Sequence, residues 1–128
     1  MEVSRTEIER RYKEQDFLLY YHYVYSGCCG NTIEEYLMLY ALKNQIIVYN
    51  GRESHLPIVS PWQYDRVVKR ISKCVKSWES VGNETSPLEV IVNFDGVPHR
   101  YYGEGKNFKN FHKFHKIVDC IRKGLTIL

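Results

Sequence analysis

The sequence predicts an α+β fold: a two-layer domain with an antiparallel sheet of about five strands, two amphipathic helices on one face and a short N-terminal helix. Three observations carry that expectation. Segments 60–82 and 107–125 place apolar residues at helical spacing. Segments 16–42 and 88–102 are runs rich in Tyr, Val, Leu and Ile, broken at turns that contain Gly. The chain has 128 residues, too few for two independent cores, so residues 1–128 are read as a single α+β domain.

Within residues 1–15, Ser4-Arg5-Thr6-Glu7 forms a capping box and Val3 and Ile8 are spaced as its hydrophobic staple. The short helix that follows has few apolar positions, which leaves its register weakly specified and predicts mobility. Asp16 to Ser26 and Thr32 to Leu42 read as long strands, paired antiparallel around the loop Ser26 to Asn31. Lys43-Asn44 turns the chain into Gln45 to Tyr49, and Asn50-Gly51, a type I′ dipeptide, leads to a brief edge strand near Glu53 to Leu56.

Ser60 caps the next helix, Pro61 suits its first position, Gln63 completes a capping box, and Val59 with Tyr64 forms a staple. Its apolar stripe is Tyr64, Val67, Val68, Ile71, Val75 and Trp78, ended by Gly82. Leu88, Val90, Val92 and Phe94 alternate as a strand, Asp95-Gly96 turns it into Val97 to Tyr102, and Pro98 points to an edge position. Asn107 is read as the cap of a final helix that buries Phe111, Phe114, Ile117, Val118, Ile121 and Leu125 before Gly124, with Ile127-Leu128 folding back.

Composition narrows the function classes. Hydrophobic residues make up 44% and charged residues 26%, as in a globular chain rather than a disordered one. The longest apolar stretch, Phe17 to Val24, is too short to span a bilayer, and no signal region opens the chain, so a soluble cytoplasmic protein without membrane contact is expected. Of the four cysteines, Cys28 and Cys29 are adjacent while Cys74 and Cys120 fall in predicted helices, which suits free thiols better than a bridged framework.

No phosphate-binding loop, nucleophile elbow or phosphatase-type Cys-to-Arg spacing occurs, so no catalytic residues are assigned. A thiol-dependent enzyme at Cys28/Cys29 is an alternative, and it would need a base such as His22 or His55. His112-x-x-His115, even with Cys28 and Cys29, does not make a four-ligand signature, and neither metal nor cofactor is expected. Arg66, Lys69, Arg70, Lys73 and Lys76 lie opposite the stripe of the central helix, with Lys106, Lys109, Lys113 and Lys116 near the last one. They support a second alternative, contact with nucleic acid or another polyanion, although seven glutamates elsewhere offset them and the net charge is only +3.

The eleven tyrosines, concentrated between Tyr12 and Tyr40, are the feature in most need of explanation. Tyr provides amphipathic contact area at low entropic cost. The first two strands are aromatic or apolar on both sides, so helices on one face would leave rings on the other. Tyr21, Tyr23 and Tyr25, or alternatively Tyr20 and His22, would then join Tyr36, Met38 and Tyr40 on an uncovered face, unless the N-terminal helix or loops cover it. The leading expectation is a small non-enzymatic regulator or inhibitor that binds another protein through Tyr21, Tyr23, Tyr25, Tyr36 and Tyr40. Self-association of the same face as a homodimer is also open. Phage or mobile-element accessory proteins that block host defence enzymes fit this description, on the base rate of short motif-free chains and on no particular residue.

Overall fold

The computed structural model describes residues 18–42, 45–49, 53–57 and 61–122, so the expected N-terminal helix and the Ile127-Leu128 tail lie outside the described residues. Among the described residues the strands are β1 (Leu19–Ser26), β2 (Thr32–Leu42), β3 (Gln45–Tyr49), β4 (Glu53–Pro57), β5 (Leu88–Val92) and β6 (His99–Gly103). The helices are α1 (Pro61–Val75), between β4 and β5, and α2 (Phe111–Arg122), after β6. All described pairings are antiparallel, in one six-stranded sheet of order β4-β3-β2-β1-β5-β6, one strand more than the sequence suggested.

The first four strands form a meander, and α1 carries the chain from the β4 edge back across the sheet to β5. The second hairpin therefore adds beside β1 and makes it an interior strand: Leu19 pairs with Leu39 on one side and Val92 on the other. The edges are β4 and β6, where Pro57 ends one strand and Pro98 immediately precedes the other. A residue without an amide hydrogen tolerates an edge and blunts further pairing there.

Alternation then decides the layers. Leu19, Tyr21, Leu37, Leu39, Leu88, Val90 and Val92 share one face and pack against Ile71, Cys74, Val75 and Trp78 on the α1 side and Phe108, Phe114, Val118 and Ile121 on the α2 side. The described residues of both stripes thus bury largely against the same sheet face, with Cys74 added to the first stripe and Val68 outside the core cluster, while the side chain of Tyr64 and Leu125 lie outside the described residues. Trp78 lies three residues beyond the end of α1, and its ring stacks on Phe108 at 4.6 Å and meets Phe114 edge-on at 4.9 Å. Its indole Nε1 donates to the Lys109 carbonyl at 2.7 Å, tying the α1 end of the core to the loop that leads into α2.

Two local expectations need correction. Asn107 does not cap the last helix: it closes a one-turn 3-10 segment, Gly105–Asn107, in a reciprocal box with Glu104. The helix begins after Asn110, which takes the left-handed conformation at φ 61° and whose carbonyl accepts from the Phe114 and Lys113 amides. Asn is among the few residues that adopt this conformation readily. The uncovered aromatic face is also revised. On the face away from the helices, Met38 and Ile91 are 1% and 0% exposed, so its centre is closed rather than open. None of the helices among the described residues is long and apolar enough to cross a membrane.

Candidate functional site: an aromatic rim over a buried carboxylate

Strand register separates the five predicted tyrosines. Tyr21, Tyr23 and Tyr25 stand opposite Leu37, Glu35 and Ile33 and share the helix-covered face, whereas Tyr36 pairs with His22 on the opposite one. No single surface can therefore present Tyr36 together with Tyr21, Tyr23 and Tyr25, because side chains alternate strictly between faces. Tyr21 is 0% exposed and belongs to the core, so it offers no docking area. On the far face, Tyr36 stacks on the His22 imidazole at 4.3 Å, and His22 Nε2 lies 3.3 Å from a Glu34 carboxylate oxygen. The side chain of Tyr40 lies outside the described residues.

Glu35 is the unexpected member of the helix-covered face. Its position opposite Tyr23 makes Tyr21 and Tyr25 its diagonal neighbours across the strand pair, within reach of long side chains. Both phenols use that reach: Tyr21 donates to Oε1 at 2.7 Å and Tyr25 to Oε2 at 2.8 Å. From above come His115, Asp119 and Arg122, spaced along one side of α2. His115 Nε2 lies 3.0 Å from Oε1 of Glu35, and the Arg122 guanidinium lies 3.2 Å from Oε2 and 3.0 Å from Asp119.

The electrostatics follow from these contacts. Burial by itself would raise the Glu35 pKa, but hydrogen bonds from Tyr21, His115 and Tyr25 and the charge of Arg122 outweigh it and hold the carboxyl below its ordinary value. Glu35 is thus ionised and can only accept, which makes Nε2 the protonated nitrogen of His115. Burial, then the hydrogen bond to Glu35, pushes the Tyr21 phenol far above its ordinary range. The same two causes push Tyr25 up to about 12. Both hydroxyls consequently remain donors throughout the physiological range.

Above this ionic floor lies a rim of half-buried rings. Tyr23 packs on Tyr25 at 4.8 Å and edge-on to Phe111 at 5.5 Å, and Phe111 stacks with His115 at 5.8 Å. Gly105 permits that packing: a methyl group there would fall 2.8 Å from the Phe111 ring and 3.0 Å from the Tyr23 hydroxyl. Tyr23, Tyr25, Phe111 and His115 thus form one partly exposed cluster whose geometry is fixed from beneath.

The cluster resembles catalytic machinery in composition, but its carboxylate is fully engaged. A general base needs a free lone pair, and here both Glu35 oxygens already accept donors, which makes the group a weak base and a strong clamp. Glu35, His115 and Asp119 are also the residues that could hold a metal ion, with ligand atoms within 4.8 Å of one another. The Arg122 guanidinium spans the two carboxylates, so an ion would first have to displace an intrinsic cation. His112, one helical turn from His115, is exposed and not part of that group.

The other sequence candidates lie elsewhere. Cys28 and Cys29 are exposed at the β1–β2 tip, with sulfurs 3.6 Å apart. Lys69, Lys73 and Lys76 are exposed, and Arg66 and Arg70 partly so, on or just after α1. Sequence reasoning missed Glu35 and Arg122: a glutamate inside a strand otherwise rich in Leu, Met and Tyr hinted at a buried carboxylate but could not say which of Glu34 and Glu35 it was. Comparisons with protein-family models, curated proteins and solved structures gave no match, so the geometry of the chain itself carries the functional argument.

Proposed function

We propose that this chain is a small non-enzymatic protein-binding domain, a regulator or inhibitor, whose contact surface is the rim of Tyr23, Tyr25, Phe111 and His115. The observation that supports the reading is the combination of partial exposure with a locked base. The rings are accessible, yet Tyr25 and His115 are hydrogen-bonded to the same buried carboxylate. Binding surfaces gain affinity when aromatic anchors are ordered before the partner arrives, because less conformational entropy is lost on association. Of the five tyrosines expected to bind, this keeps Tyr23 and Tyr25 and adds two residues from α2.

The test is affinity capture from cells that make the protein, using the wild-type chain, Tyr25→Ala, Phe111→Ala and a Lys69→Glu/Lys73→Glu control, each with nuclease treatment. A specific protein retained by wild type and the control, and lost with both ring variants, supports the rim. Retention unchanged by the ring variants removes it. A partner lost only in the charge-reversed control would instead place the contact on the basic side of α1, the polyanion alternative.

A further inference from the structure

We propose that Cys28 and Cys29, at the tip of the β1–β2 hairpin, form a bidentate thiolate site for a thiophilic divalent ion of the zinc and cadmium class. The tip is closely built. The Gly27 amide donates to the Asn31 carbonyl at 2.7 Å and the Gly30 amide to the Gly27 carbonyl at 3.3 Å, which makes Cys28 and Cys29 the two corners of a four-residue turn. Gly30 takes φ +77°, and a methyl group at Gly27 would fall 2.6 Å from Asn31 Oδ1 and 2.8 Å from Ile33 Cδ1. The backbone beneath the two thiols is therefore held in place, and both side chains remain exposed.

The separation of the sulfurs suits such a ligand. Two thiolates bound to one tetrahedral zinc, at about 2.3 Å each, stand about 3.8 Å apart. The thiols here are 3.6 Å apart, so side-chain rotation of a few tenths of an ångström suffices. A disulfide fits less well: it needs sulfurs about 2.05 Å apart and usually Cα atoms about 4.4 Å apart or more, so adjacent residues, with Cα atoms about 3.8 Å apart, would form one only under strain. The pair is thus better arranged to chelate than to bond to itself.

The remaining candidates are less suitable. Cys74 is buried, and burial pushes its thiol above the ordinary range, away from the ligating thiolate. The Glu35, His115 and Asp119 group already holds the Arg122 guanidinium. At the hairpin tip the reaction is a simple exchange: the ion binds two sulfurs, each thiol gives its proton to solvent, and no electrons move. Water or the tip of a second copy fills the other two coordination positions.

The experiment is titration of the full chain with Cd²⁺ under a phosphine reductant, read by the thiolate-to-cadmium charge-transfer band in the ultraviolet. Saturation at one ion per chain, or one per two chains, supports the site. Cys28→Ser and Cys29→Ser should each weaken binding at least about tenfold, since losing a ligand costs no less than losing a residue that orients one. The Cys74→Ser/Cys120→Ser double variant should bind as the wild type does. A band unchanged in either single variant, or lost in that double variant, overturns the proposal. Both single substitutions are at an exposed turn, and near-ultraviolet circular dichroism verifies that the fold survives them.

Discussion

The two ends of α2 are attached to the rest of the molecule by different physics. At its N-terminal end, Phe108, Phe111 and Phe114 gather around Trp78, a contact of rings and dispersion with one hydrogen bond, from the indole to the Lys109 carbonyl. Towards its C-terminal end, His115, Asp119 and Arg122 meet Glu35, Tyr21 and Tyr25 through charge and hydrogen bonds. The first contact is insensitive to pH and tolerant of small displacements. The second depends on protonation state and on distances within a few tenths of an ångström. The aromatic rim lies where the two meet, which is why it combines apolar area with fixed orientation.

The largest effect is expected at the apolar end. Trp78→Ala should destabilise the fold by about 3–5 kcal/mol, the range for removing a buried large aromatic. Denaturant unfolding should give the same loss at neutral and mildly acidic pH. A loss that changed with pH would mean that the two ends are not separable.

Glu35→Gln comes next, at about 2 kcal/mol, the scale of hydrogen bonds to a charged group. Its pH dependence has a definite sign. The folded-state pKa of Glu35 lies below the ordinary 4.5, so its contribution is complete above that value and is lost as the pH falls through the lowered folded value. The stability difference between wild type and Glu35→Gln should therefore shrink below pH 4.5. A difference constant down to strong acid would show that the carboxylate does not clamp the helix.

A smaller effect, about 1 kcal/mol, is expected for Tyr25→Phe, which removes one hydroxyl and keeps the ring. The folded-state pKa of Tyr25 is raised from 10.0 to about 12, so its stabilisation is present below pH 10 and lost as the pH rises through the folded value. Tyr25→Phe should show less alkaline destabilisation over that interval than the wild type. If the rim binds through ring area, this variant should also retain a partner that Tyr25→Ala loses.

The smallest effect belongs to the exposed side of α1. Lys69→Glu with Lys73→Glu should change stability by no more than about 0.5 kcal/mol, as surface substitutions generally do. The same variant also checks the polyanion reading. Salt-sensitive retention of duplex DNA by the wild type, abolished in the variant, would move the functional surface to this side.

How much of this was legible depended on whether one element or several had to be known. The second hairpin was readable because Leu88, Val90 and Val92 recur at every second position ahead of the Asp95-Gly96 turn, and they are buried as that spacing requires, although Ile91 between them is buried too. Pro98 likewise marked β6 as an edge strand, which the sheet order bears out. The first hairpin was not readable in the same way. Tyr20 to Tyr25 offers aromatic or apolar groups at both parities, so alternation could not say which set faces the helices. Asn107 was an attractive cap by type, but Glu104 claimed it three residues earlier for a tighter turn.

Glu35 illustrates the limit most clearly. In sequence it is one of two adjacent glutamates, Glu34 and Glu35, and nothing local distinguishes them. In space Glu34 is exposed beside His22, while Glu35 is 7% exposed and accepts from two tyrosines and α2. A contact with His115 spans 80 residues, and no local pattern encodes a partner at that separation.

The sequence by itself determined that two amphipathic helices follow the meander and the second hairpin, and most of the described residues they bury, because these follow from the periodicity of near neighbours. The helix ends, at Val75 and after Asn110, were set by the packing around Trp78 and Glu104. Only the tertiary structure decided that β1 lies in the middle of the sheet, which tyrosines face inward and which glutamate becomes a buried anchor. Those outcomes depend on strand register and helix placement, and a shift of one residue in a strand would exchange every inward side chain for an outward one.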